Sequence, residues 1–181
     1  MSQIYKNLLK ELKSSEYSLD KDTINNHCVD WRGKYKGSSE IIFFPKSVSS
    51  IIKIIKFCHK RDIPIVPQGG NTSLVGGSVP RLNKGEIIIN LCKLNKIREI
   101  DTVSNTVTVE SGCILQSIND QLESYNLQMP ISLGSKGSCQ IGGNIATNAG
   151  GLNVIKFGSI RSNILGIEAI LPNGEFYNFQ V

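Results

Sequence analysis

No stretch of the 181-residue sequence approaches the roughly 20 uninterrupted apolar residues that a bilayer-spanning helix needs. The longest apolar clusters, residues 41–44 and 51–55, are short and flanked or broken by Lys. The N-terminus, MSQIYKNLLKELKSSE, is amphipathic and carries acids, unlike a secretory leader. Cysteine is sparse and odd in number (28, 58, 92, 113 and 139), without a CxxC pair or regular spacing. That argues against a disulfide framework and points to reduced thiols in a soluble, cytoplasmic protein. There is no basic run either. The 15 Lys and 5 Arg are scattered, with few aromatics among them, which argues against a nucleic-acid partner. Histidine occurs only at 27 and 59, and neither it nor cysteine clusters as a metal site would require.

The most informative absence is local. No Asp or Glu occurs in residues 63–85 or 124–167, yet these 67 residues hold 13 of the 17 glycines. Even scattering would place about five or six of the 15 acids there. Glycine lets backbone approach a ligand closely and turn its N–H groups onto an anion. A carboxylate nearby would repel that anion in a poorly hydrated site. Two acid-free, glycine-rich segments therefore suggest a phosphate-bearing ligand.

The hydrophobic pattern predicts a helix over 2–14, with Ile4, Leu8, Leu9 and Leu12 on one face. Residues 15–36 are polar and read as an irregular approach, anchored by Trp31. A short strand is expected at 41–44. Ser47 then caps a helix whose Val48, Ile51, Ile52, Ile55 and Cys58 share a face, with His59 in its last turn. Strands are expected at 63–66 and 86–91, a hairpin over 96–101 and 105–110, and an amphipathic helix over 113–125. A strand at 164–171 turns through Pro172, Asn173 and Gly174 into 175–179. The fold class is α+β in two lobes: a helical arm over 1–40, one lobe over 41–92 and a second over 93–181.

The first glycine-rich loop runs Pro67, Gln68, Gly69, Gly70, Asn71, Thr72, Ser73, Leu74, Val75, Gly76, Gly77. It lacks the G-x-G-x-x-G spacing and the following acid of a Rossmann fingerprint, and it lacks the Lys of a Walker A loop. A double glycine on each side of a polar segment remains, able to converge N–H groups on a diphosphate. The second region, 130–151, is built almost entirely of small residues. Its segment 142–149 is read as a short helix.

The stretches IVPQGGNTSLVGGSVP, GSKGSCQIGGNIATNAGGLNVIKFGS and ILGIEAILPNGE occur in that order. They resemble the FAD-linked oxidase family with the vanillyl-alcohol-oxidase (PCMH-type) flavin domain, from about Asp30 onward. The branch most similar is that of D-2-hydroxyglutarate dehydrogenase, D-lactate dehydrogenase and the glycolate oxidase FAD subunit. The resemblance implies FAD as cofactor, with residues 67–73, Gly76 and Gly77 around its diphosphate and Asn71 and Thr72 as side-chain donors. It implies that Pro130, Gly134, Gly137, Ser138, Gly142, Gly143, Asn144, Thr147, Asn148 and Gly150 line the flavin path, with Gly158 and Ile164 nearby. Some relatives attach flavin through a His in the double-glycine loop. Asn71 stands there instead, which implies non-covalent binding, with Cys139 left as an alternative point of attachment.

The same resemblance implies an incomplete second lobe and no substrate domain. The expected function is the FAD-binding portion of an oxidoreductase that moves a hydride from the α-carbon of a D-2-hydroxy acid to flavin. No catalytic base is assigned, since neither His lies in a glycine-rich segment. A non-catalytic flavin-binding module, a split subunit served by a separate chain carrying the substrate domain, and an inactive remnant remain open alternatives.

Overall fold

Three consecutive isoleucines, Ile87, Ile88 and Ile89, are all buried because the strand that carries them is covered on both faces. A computed structural model describes residues 3–180, and the chain divides into two units, Met1–Lys93 with Gly166–Val181, and Leu94–Leu165.

In the first unit, β1 (Tyr17–Ser18), β2 (Ile42–Phe43), β3 (Ile65–Gln68) and β4 (Ile87–Asn90) form one sheet in the order β1-β2-β4-β3. β1 pairs antiparallel with β2, whereas β2 and β3 each run parallel to β4. Successive side chains of a strand point to opposite faces. Ile41, Phe43, Ile87 and Ile89 accordingly pack on one side with Tyr5, Leu8 and Leu12 and with Ile54 and Cys58. Ile42 and Ile88 pack on the other with Ile24 and Cys28. Such two-sided cover is why parallel strands read as continuous apolar runs.

The helices are α1 (Lys6–Glu11), α2 (Lys21–His27) and α3 (Val48–His59). α3 begins as expected, with the Ser47 hydroxyl accepting from the Ser50 N–H. Its buried face is Ile51, Ile54 and Cys58, however, so the stripe expected through Ile52 is rotated toward Ile54. α1 is shorter than its pattern predicts, lying between 3-10 turns at Gln3–Tyr5 and Ser14–Glu16; Ser2 lies outside the described residues. The buried Glu16 carboxylate accepts from the N–H groups of Lys13 and Lys46 and holds the second turn. The approach segment, expected to be irregular, contains α2, whose N-cap Asp20 accepts from the Thr23 N–H at 2.8 Å. Only Ile24 in α2 and Cys28 at its end are buried, too few apolar positions to betray a helix by period. A terminal hairpin, β7 (Gly166–Ile170) with β8 (Phe176–Gln180), also belongs to this unit and turns through Gly174; Val181 lies outside the described residues.

The second unit contains the expected hairpin, β5 (Ile97–Asp101) with β6 (Thr106–Val109), and α4 (Leu115–Glu123). Two short helices, α5 (Ile141–Ala146) and α6 (Val154–Phe157), and a 3-10 turn at Ile160–Asn163 follow. Cys113, Leu115, Ile118, Leu122, Ile131, Cys139, Ile141 and Ile160 form its core.

Candidate functional site

Gln68 ends β3 and Asn90 ends β4, at the carboxyl ends of parallel strands, where α/β sheets characteristically bind ligands. The glycine-rich loop leaves the sheet there. Gln68 is fully buried, and its Nε2 donates to the backbone oxygens of His27 and Ser78 at 2.9 and 2.8 Å. Its Oε1 accepts from Asn90 Nδ2 at 3.0 Å. One side chain thus ties the entrance of the loop to its exit. Asn71, in the left-handed region at φ 52°, donates from Nδ2 to the Val29 oxygen, and its Oδ1 accepts from the Ser78 hydroxyl.

The Asn71 carboxamide also holds the loop's shape, with Oδ1 and one of its two Nδ2 protons already engaged. The loop offers backbone as well. Among the described residues, the N–H groups of Gly69, Gly70, Asn71, Thr72, Ser73 and Leu74 donate to no protein acceptor. The Thr72 hydroxyl has no partner there either, and the Ser73 hydroxyl accepts only from the Val75 N–H.

The second candidate region lies in the other unit. Its glycines fall into two groups. At Gly134, Gly137 and Gly143, as at Gly77 in the first loop, an added Cβ would meet nothing within 4 Å. None has a positive φ, so neither conformation nor packing inside the chain requires glycine at these positions. Gly142, Gly150 and Gly158 differ. A Cβ at Gly142 would lie 2.7 Å from that of Ser111, one at Gly150 2.0 Å from Val154 Cγ2, and one at Gly158 2.8 Å from Ser162 Oγ. Gly76 in the first loop is likewise pressed against the Tyr35 ring. At these four, protein packs against the α-carbon, and Gly76 and Gly158 also have positive φ, at 73° and 77°.

The polar residues divide in the same way. Asn144 is buried and donates to Cys139 Sγ at 3.4 Å, while Asn148 Oδ1 accepts from the Arg161 N–H at 3.1 Å. Thr147 bonds back to the Gly143 oxygen, and Ile164 packs partly against the unit's core. Ser138 is exposed, Pro130 half-buried and Pro67 exposed. Two polar residues escaped the sequence reading. Asn90 is one, and its signal was a polar residue closing an all-isoleucine strand. Gln140 is the other: its Oε1 is buried at the start of α5 without a partner among the described residues. His27 is half-buried, with Nδ1 2.8 Å from the Thr23 oxygen and its ring edge-on to Phe44.

In the first unit the unpaired loop amides suit an anion such as phosphate; in the second, Gly134, Gly137 and Gly143 stand beside open space and the buried Gln140 Oε1 would accept from an N–H or O–H group. Among the described residues no cluster of His, Cys, Asp or Glu could hold a metal ion. No helix of the described residues is long and apolar enough to cross a membrane.

The model of a family described as an FAD binding domain matches residues 39–180, and the chain belongs to that family. Its cofactor is FAD, and the fold is the α+β, two-lobed PCMH type. The chain is 47% identical over 155 residues to a probable mitochondrial D-2-hydroxyglutarate dehydrogenase of rice, covering 86% of this chain and 27% of that protein. It is 41% identical over 159 residues to the mitochondrial D-2-hydroxyglutarate dehydrogenase of Danio rerio, covering 88% and 30%. To a putative mitochondrial D-lactate dehydrogenase of Schizosaccharomyces pombe it is 40% identical over 176 residues, covering 95% and 33%. It thus spans about a third or less of these relatives. Alkyldihydroxyacetonephosphate synthase shares the fold over the whole chain and 34% of its own, with a TM-score of 0.86 at 20% identity. Phl p 4.0202, a glucose dehydrogenase, shares it over 98% and 38%, with a TM-score of 0.82 at 18% identity. The mitochondrial relatives overturn the cytoplasmic location expected from the cysteines. Free thiols report a redox state and not an address.

Proposed function

We propose that this chain is the FAD-binding portion of an oxidoreductase acting on a D-2-hydroxy acid. The observation that carries the chemistry is the row of unpaired N–H groups at residues 69–74 beside no carboxylate of their own segment. These amides, with the Thr72 and Ser73 hydroxyls, would hold the diphosphate; the open sides of Gly134, Gly137 and Gly143 would admit the rest of the cofactor. The 40–47% identity to D-2-hydroxy-acid dehydrogenases supports the substrate class. When bound, FAD would supply a hydride acceptor. The chain's own residues would bind and orient it, without a covalent link, since the double-glycine loop carries Asn71 and no His. Neither His27 nor His59 lies in a candidate segment, so the base and substrate contacts fall to other polypeptide.

A second reading is a flavin-binding subunit that works with a separate chain. Titration of the purified chain with FAD tests the first step. Saturable 1:1 quenching of flavin fluorescence, with the flavin released on acid precipitation, is expected. No saturable uptake would overturn the reading, and flavin remaining in the pellet would overturn its non-covalent part. Co-purification of a second polypeptide that restores 2-hydroxy-acid oxidation would favour the subunit reading.

A further inference from the structure

The tip of the glycine-rich loop has little to anchor it from within. Leu74 and Val75 are exposed, and among the loop's own residues the backbone contributes one internal bond, Val79 N–H to the Gly76 oxygen at 3.1 Å. Its support comes from a segment about 40 residues earlier. Residues 28–37 close into a small hairpin, with Val29 bridged to Lys36. The Gly37 N–H donates to the Cys28 oxygen at 2.8 Å, and the Asp30 N–H to the Tyr35 oxygen at 3.0 Å. Gly33, at φ +69°, makes the turn.

Three side-chain contacts then run from this hairpin to successive points of the loop. Asn71 donates to the Val29 oxygen at 2.8 Å, the Arg32 guanidinium donates to the Leu74 oxygen, and the Tyr35 ring packs against Gly76, where a Cβ would come within 2.7 Å. Asp30 organises the group. Its buried carboxylate accepts from the Tyr35 N–H at 2.7 Å, and its Oδ2 lies 3.5 Å from Arg32 Nε. Each of those two buried atoms has only the other as neighbour of opposite charge and no hydrogen-bond partner among the described residues.

We propose that residues 28–37 are a strap that fixes the glycine-rich loop in its ligand-ready shape, with Arg32 and Tyr35 as positioning residues for the FAD diphosphate. The inference rests on the reading of that loop as the diphosphate site. The strap grips 71, 74 and 76, between and beside the amides that have no protein acceptor, so it orders donors without occupying them. A loop ordered before binding does not lose that freedom when the ligand arrives, which is how preorganisation raises affinity. Burial of Asp30 keeps its charge from facing the ligand, and Arg32 neutralises it.

The test compares wild type with Arg32→Gln, Arg32→Lys and Tyr35→Leu, using ¹⁵N relaxation without FAD and then FAD titration. In wild type the amides of 69–77 are expected in the rigid range, with order parameters of about 0.85. In Arg32→Gln and Tyr35→Leu they are expected below about 0.6, with β2 and β4 unchanged. FAD affinity should fall roughly tenfold or more. Arg32→Lys should recover part of both, since it restores the charge but not the planar fork. Unchanged order parameters, or unchanged FAD affinity in a wild type that binds, would overturn the strap. Equal loosening of β2 and β4 would also overturn it, by making the role merely structural. A wild type that takes up no FAD would sink the functional reading alone, and the relaxation comparison would still decide whether the strap holds the loop.

Discussion

The carboxamides of Gln68 and Asn90 meet across the parallel strand ends, Nδ2 to Oε1 at 3.0 Å, in a buried position. Gln68 also serves two backbone oxygens, so every polar atom of its side chain is engaged. Replacing it with Leu keeps the volume but leaves the His27 and Ser78 oxygens and one Asn90 proton unpaired. The expected loss is on the order of 3 kcal/mol, since each orphaned buried group costs about 1–3 kcal/mol. Urea unfolding of Gln68→Leu measures it, and a loss under about 0.5 kcal/mol would contradict the network.

Neighbouring glycines should answer differently to substitution. Gly142→Ala places a methyl 2.7 Å from Ser111 Cβ and should destabilise the second unit by about 1–3 kcal/mol. Gly143→Asp meets open space, so stability should stay within about 1 kcal/mol. The added carboxylate would face the cofactor, and FAD affinity should drop at least roughly tenfold. A Gly143→Asp protein that binds FAD as wild type does would remove Gly143 from the site.

Ile54 and Ile52 separate the observed face of α3 from the face expected from its pattern. Ile54→Ala empties a fully buried position and should cost about 2–5 kcal/mol. Ile52 is half-buried and lies outside the buried stripe, so Ile52→Ala should cost clearly less. Paired thermal or urea melts distinguish them, and equal losses would contradict the placement.

Acid should loosen the first unit through Glu16. Burial alone would raise its carboxyl, but the Ser50 hydroxyl, the N–H groups of Lys46 and Lys13 and the Lys13 charge outweigh that and hold it below the usual glutamate range. A lowered folded value means that the unfolded chain takes the proton first. The contribution is therefore complete above the unfolded value of about 4.3, and it is lost as pH falls from there through the folded value. Glu16→Gln should be less stable than wild type at pH 7, with the difference shrinking as the pH is lowered. A difference that stays constant from pH 7 to pH 3 would exclude Glu16 as a source of acid sensitivity.

Much of this fold was legible because its pieces obey local rules. The hairpin of β5 and β6 followed from alternating Val107 and Val109, and α3 from its Ser47 cap. Contact direction was not legible. Ile52 and Ile54 are equally apolar, and only the sheet beneath α3 selects between them. At the candidate site, the absence of acids and the abundance of glycine located both segments. Composition could not sort Gly143, beside open space, from Gly142, pressed on Ser111, nor tell that Asn71 would bond to Val29. Those roles depend on residues 31 to 42 positions away, as does the strap, whose polar sequence has no period to betray it.

The placement of β4 between β2 and β3 also bears on how the polypeptide matures. Neither flanking strand bonds to the other, so both wait for a centre that emerges from the ribosome about 20 residues after β3. Until then Val66 has no ladder and Ile42 and Phe43 have only the two-residue one with β1, and a nascent chain whose β4 has not emerged would leave these edges to chaperones or to aggregation. Slow decoding while β4 is still inside the ribosome should therefore lower soluble yield more than the same pause placed after it has emerged.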